Sequence, residues 1–142
     1  MKQLIVWVLF IFMCPVLYAQ ISVTKTKVIC KTNLGAQNLV YAEKDSVGVF
    51  ALSLKSNNEF HGRIVAILGD KQRALTTLQS MYDYENEDGD VIELNNPTNN
   101  SAVYKKVLGV WMYVIYAEYS NRIYGYLAKK QIKKMITALE KE

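Results

Sequence analysis

The chain has 142 residues, 51% of them hydrophobic and 21% charged, and its 17 Lys and Arg against 13 Asp and Glu give a formal charge of +4. That composition excludes a disordered chain, and the length fits one domain rather than a multidomain enzyme. Two cysteines and one histidine exclude a disulfide framework and any zinc centre built mainly on Cys and His.

The amino terminus reads as a secretory signal. Lys2 supplies a positive start, residues 4–17 an apolar run interrupted by Pro15, and Leu17-Tyr18-Ala19 a cleavage site ahead of Gln20. A membrane span needs about 20 apolar residues, and this stretch is shorter. Ile11-Phe12-Met13 before Cys14 also lacks the small residues of a lipoprotein signal, so a lipid or uncleaved anchor is the weaker reading. The expectation is a signal peptide at 1–19 and a single exported α+β domain at 20–142, secreted or periplasmic. Removing Lys2 takes the charge from +4 to +3, and removing Cys14 leaves Cys30 as the one thiol, with no internal disulfide.

Segments 23–32, 38–42 and 47–55 are rich in Val, Ile, Thr and aromatics between polar punctuation, which predicts successive antiparallel strands. Ser56-Asn57-Asn58-Glu59 predicts a tight hairpin turn into a strand at 61–68, because asparagine tolerates the left-handed conformation. Asp70 is placed to cap a helix at 71–82, with Leu75, Leu78 and Tyr82 on one face and Ala74 and Met81 beside it. A polar stretch at 83–90, a short strand at 91–94 and an Asn-rich loop at 95–101 follow; the loop holds the glycosylation sequon Asn99-Asn100-Ser101.

From 102 to 118 the density of β-branched and aromatic residues predicts strand, interrupted near Gly109 because one strand of that length would overrun a small domain. Ser120-Asn121 turns the chain into a strand at 122–127. Both parities of this hairpin are apolar, which predicts cover on both faces. A helix at 129–140 ends the chain, with Ile132, Met135, Ile136 and Leu139 on one side and Lys129, Lys130, Lys133 and Lys134 around the rest. No internal sequence repeat is evident. The fold class is therefore α+β, mainly antiparallel meander and hairpins with one central and one C-terminal helix.

Taken together, Asp88-Gly89-Asp90-Val91-Ile92-Glu93-Leu94, Trp111-Met112-Tyr113-Val114-Ile115-Tyr116 and Tyr124-Gly125-Tyr126-Leu127 resemble the closing half of a bacterial SH3-like domain. The resemblance covers residues 88–127. It implies a small SH3-like barrel in the C-terminal half, within an exported, non-enzymatic module that binds peptides or cell-wall material or acts as a spacer. The ligand-binding groove it implies is lined by Tyr104, Trp111, Tyr113 and Tyr124. A terminal helix stands where that family ends in a short strand.

Residue chemistry points the same way. Cys30 lies in an alternating stretch without a nearby base and reads as a small buried hydrophobe rather than a nucleophile. His61, the only histidine, has Ser53 and Ser56 as its nearest hydroxyls, with no Gly-x-Ser-x-Gly turn to expose either. Asp83, Glu85, Glu87, Asp88, Asp90 and Glu93 form an acidic segment, yet placing Gly89 sixth in an EF-hand loop puts Tyr84 first and Asn95 twelfth, where acids are required. Neither a metal, a cofactor nor a catalytic residue is expected. A carboxylate pair converging in space is the remaining enzymatic reading.

The expected function is an exported non-catalytic binding or structural module, with an envelope protein, peptide or cell-wall glycan as partner, engaged through the aromatic hairpin. Nucleic acid is excluded as a partner, and membrane contact is expected only through the signal segment. The alternative is a small inhibitor or immunity-like protein that neutralises an enzyme through the acidic segment 83–93.

Overall fold

The computed structural model describes residues 24–85, 87–94, 100–118 and 120–142. The expected signal segment, Asn99 of the sequon, most of the 95–101 loop and Tyr119 lie outside the described residues. The fold is α+β with two antiparallel sheets of four strands and two helices.

The first sheet is a meander of β1 (Lys25–Thr32), β2 (Gln37–Lys44), β3 (Val47–Lys55) and β4 (Arg63–Gly69), in that spatial order. Helix α1 (Lys71–Asp83) follows. The second sheet repeats the plan with β5 (Val91–Glu93), β6 (Ser101–Val107), β7 (Val110–Ala117) and β8 (Ser120–Leu127), again in order, and α2 (Lys129–Glu140) closes the chain. The same succession of four-strand meander and helix thus occurs twice, although the sequence shows no self-similarity.

Each central hairpin closes through a two-residue turn. Lys44 pairs with Val47 around Asp45 and Ser46, and Val107 pairs with Val110 around Leu108 and Gly109; all four turn residues have positive φ. That left-handed pair twists with the flanking strands as a type I′ turn requires. The break expected near Gly109 is this turn.

Alternation along the strands aims one face of each sheet at a shared core. Leu39, Leu52, Leu54 and Ala66 from the first sheet meet Ala102, Tyr113, Ile115 and Leu127 from the second, and both helices contribute to the same cluster. The helices pack on each other, α1 against β3 and β4 and α2 against β1, while the sheets approach where β3 meets β8 and β4 meets β7. At that junction Gly125 stands so close to β3 that a Cβ there would lie 2.8 Å from Leu54 Cβ and 3.1 Å from the Lys55 carbonyl oxygen. A side chain at this position would separate the sheets.

The helices start as their sequences dictate. Asp70 accepts a hydrogen bond from Arg73 N at 2.8 Å, which satisfies one of the orphan donors of α1. In α2, Gln131 Oε1 accepts from Ala128 N at 2.7 Å. The buried stripe of α2 is Ile132, Met135, Ile136 and Leu139. In α1 it is Ala74, Leu78 and Met81, with Leu75 and Tyr82 only partly buried, a rotation of about one residue position from the expected face.

The link between β3 and β4 is longer than the expected tight turn. Residues 56–62 form a loop with a 3-10 turn at Glu59–His61, and His61 is exposed rather than in a strand. Asn57 causes the departure. Its N donates to Tyr124 O at 2.8 Å, its Oδ1 accepts from Tyr124 N at 2.8 Å, and its Nδ2 donates to Arg122 O at 3.1 Å. With Asn57 bonded to β8, the expected Ser56–Glu59 turn opens into the longer loop 56–62.

Candidate functional site

The four aromatic residues expected to share a groove divide between the two faces of the second sheet. Register assigns them: Tyr104 pairs with Tyr113 and Lys106 with Trp111, so these four side chains share the inner face, whereas Tyr116 pairs with Tyr124 on the outer face.

On the inner face, Tyr113 is wholly buried and donates its hydroxyl to the Met81 carbonyl at 2.6 Å. Its ring fills the core and its hydroxyl satisfies one of the last carbonyls of α1. One residue pair further along the hairpin the same face emerges into solvent. Tyr104 stacks on Trp111 with centroids 5.3 Å apart and planes 9° from parallel, and Tyr104 also meets the Tyr113 ring at 5.1 Å. Lys129 lies over Tyr104, its Nζ 5.7 Å from the ring centroid, and donates to Tyr84 O at 2.6 Å. Trp111 is 42% exposed, Val110 53% and Leu108, at the tip, fully exposed. Trp111 on the inner face, Val110 on the outer face and Leu108 at the tip thus stand in water on a hairpin anchored to the core through Tyr113.

The acidic segment joins this hairpin. Gly89 N donates to Tyr104 O at 2.8 Å and Tyr104 N donates to Asp90 O at 2.9 Å, extending the β5–β6 pairing outward, while Glu87 N donates to Asp90 Oδ2 at 2.8 Å. Asp83, Glu85, Glu87 and Asp88 are exposed. The turn carrying the exposed Glu87 and Asp88 is therefore held against the Tyr104 backbone, and Lys106 stands exposed on β6. No group of three or more Cys, His, Asp or Glu residues able to hold a metal ion occurs among the described residues.

The outer face carries a second aromatic group. Tyr116 and Tyr124 meet edge to face at 5.9 Å, Tyr124 and Tyr126 at 5.4 Å, and Lys105 Nζ reaches Tyr116 Oη at 3.5 Å. Its three tyrosines are half-buried. The hydrogen bond with Tyr124, burial, and the neighbouring Tyr124 and Tyr116 phenols push Tyr126 up to about 12.

Comparison with protein-family models, with curated proteins and with solved structures gave no match. Chemistry must therefore be read from the side chains alone.

A pocket of about 350 Å³ between α1 and β5 is lined by Thr76, Met81, Tyr84, Ile92 and Glu93, with Glu93 the one carboxylate among the described residues that line it. Asp83 and Glu140 both border an open depression along α1, where Asp83 accepts from Gln79 Nε2 at 2.7 Å. Both carboxylates are exposed. A cleft of about 400 Å³ at the sheet junction holds His61, Arg63 and Glu118. Its arginine is committed: Nε donates to Ser53 Oγ at 2.6 Å, Nη1 to Gly35 O at 3.0 Å and Nη2 to Ala36 O at 3.3 Å and to Ser53 O. Cys30 is partly buried, which pushes its thiol up despite Lys134 nearby, away from the thiolate that a nucleophile needs. No helix among the described residues is long and apolar enough to cross a membrane.

Sequence reasoning placed Tyr104 and Trp111 at a site but missed Leu108 and Val110. The signal was present in the Leu108-Gly109 pair, a turn dipeptide with a large apolar residue at a position where Asn or Asp is usual.

Proposed function

We propose that the chain is an exported, non-catalytic binding module whose contact surface is the tip of the β6–β7 hairpin and the acidic turn beside it. One observation carries the reading. The Tyr104 backbone is hydrogen-bonded to the Gly89–Asp90 turn, so the part-exposed Tyr104–Trp111 stack and the acidic turn carrying Glu87 and Asp88 share one hydrogen-bonded base.

Such a patch has the anatomy of a protein-binding hot spot. Trp and Tyr supply large area at low entropic cost, Leu108 at the tip extends it, and the acidic turn steers and orients a partner. A partner protein carrying a basic rim around an apolar recess fits better than a glycan, because Leu108 at the tip offers nothing to sugar hydroxyls. Exposed carboxylates and a thiol raised by burial favour binding over catalysis.

A second reading, the inhibitor or immunity-like protein, uses the same surface. It is favoured by the fixed backbone of the acidic turn, in which Glu87 N is held by Asp90. An enzyme with a cationic active-site rim would then be the partner.

Affinity capture from the native envelope fraction, with the parent and the Trp111→Ala and Asp88→Lys variants run in parallel, tests the proposal. A protein retained by the parent and depleted about tenfold or more with each variant supports it, as truncating one hot-spot residue predicts. Equal retention by all three, after each variant is shown to keep its far-UV spectrum and urea midpoint, would remove it.

A further inference from the structure

A different end of the molecule carries its own exposed apolar groups. The β1–β2 turn and the β3–β4 loop lie at the same end of the first sheet, because Gln37 pairs with Leu54 and Lys55 with Arg63. Leu34, at the first of these, is fully exposed, and Phe60, at the second, is 90% exposed.

Neither exposure is a frayed loop tip. Asn33, Leu34 and Gly35 all have positive φ, a conformation that disfavours leucine, yet the turn is clamped. Lys55 N donates to Ala36 O at 2.7 Å, and the Arg63 guanidinium bonds Gly35 O and Ala36 O while holding Ser53. Phe60 is fixed in turn by Asn58, whose Oδ1 accepts from Phe60 N at 2.9 Å. The chain thus maintains two large apolar side chains in water on a braced support, and leucine is kept where left-handed backbone favours Gly or Asn.

The surroundings are basic. Lys31, Lys55, Arg63 and Arg122 are exposed at this end, Arg122 being tied to the loop through Asn57, with Glu59 the exposed acid between them and Glu118 in the cleft behind. Apolar prongs inside a collar of Lys and Arg match the layering of an anionic bilayer surface, where acyl chains lie beneath negative headgroups.

We propose that Leu34 and Phe60 insert into the interface of an anionic lipid surface while Lys31, Lys55 and Arg122 contact its headgroups. This contact is independent of the β6–β7 surface and leaves that surface free to engage a protein.

Residues 20–142, which contain every described element and the core of the described residues, are tested by co-sedimentation with vesicles of phosphatidylcholine alone and of equimolar phosphatidylcholine and phosphatidylglycerol. Binding to the anionic vesicles is expected, weaker to the neutral ones and weakened by salt. The Leu34→Ser/Phe60→Ser double variant should lose about tenfold or more in partitioning, since two large apolar side chains no longer leave water. Both residues are exposed, so the double variant should keep its urea midpoint. A Phe60→Trp variant should give fluorescence quenched by brominated acyl chains beyond any contribution from Trp111. Absence of binding to anionic vesicles, undiminished binding by the double variant, or no added quenching at position 60 would each overturn the proposal.

Discussion

Asn57 treats Tyr124 as a neighbouring strand would, donating its backbone N–H to the Tyr124 carbonyl and accepting the Tyr124 N–H on its side chain, both at 2.8 Å. One residue thereby joins a loop of the first sheet to the edge strand β8 of the second. The side-chain bond to Arg122 O at 3.1 Å extends the match along β8.

Asn57→Ala removes both side-chain bonds and leaves the Tyr124 N–H to water. Because the site is exposed, the cost should fall at about 1–2 kcal/mol, read as a lower urea midpoint with an unchanged slope. Asn57→Asp keeps the acceptor for Tyr124 N and loses only the donor to Arg122, so it should cost less than the alanine variant. Equal losses would show that the Tyr124 bond contributes nothing.

Gly125 sits at the same junction for a steric reason. Gly125→Ala places a methyl 2.8 Å from Leu54 Cβ and 3.1 Å from a carbonyl oxygen, both on backbone-fixed atoms that cannot swing away. Overpacking of this kind costs about 1–3 kcal/mol. Thermal unfolding followed by calorimetry should register it, and Gly125→Val should fall further.

The β6–β7 tip carries backbone strain at an exposed residue, which the proposed binding surface would account for. Leu108 has φ of 49° and is fully exposed, so Leu108→Asn, which tolerates the left-handed conformation, should stabilise the fold by about 1 kcal/mol. The same variant should weaken partner capture. A gain in stability with no loss of capture would separate the tip from the binding surface.

Alkaline stability should depend on the outer tyrosines. Tyr126 is raised from 10.0 to about 12 in the fold, so the neutral phenol is the form that the folded state favours. Its contribution is complete below the unfolded value near 10 and is lost as pH rises through the folded value near 12. Urea midpoints measured up that range should decline, and Tyr126→Phe should flatten the decline. An identical alkaline limb in that variant would assign the effect to other groups.

The sequence made the elements legible and left their meeting points obscure. The α2 stripe of Ile132, Met135, Ile136 and Leu139 was readable because helical period and core face coincide. The fold class and a break near Gly109 followed from β-branched density and a glycine in the wrong place for one long strand; that the break is a hairpin turn did not. The division of the aromatic residues was not readable. It depends on a two-residue turn that sets Tyr104 opposite Tyr113, and on a register shift between Tyr116 and Ala117, and one residue of slip exchanges the faces. The Asn57–Tyr124 link spans 67 positions in sequence and has no local signature. The repeated meander-and-helix order is likewise silent in sequence, because strand pattern survives wide variation in side chains.

The proposed binding surface is tested most directly by placing a photo-crosslinking amino acid at Leu108 and, as a control, at Lys44 on the equivalent hairpin of the first sheet, in cells that export the protein. The account predicts one discrete cross-linked protein from position 108, none from position 44, and loss of that product when Trp111→Ala is added. Cross-links of equal yield from both positions, or a product from position 108 that survives Trp111→Ala, would contradict it.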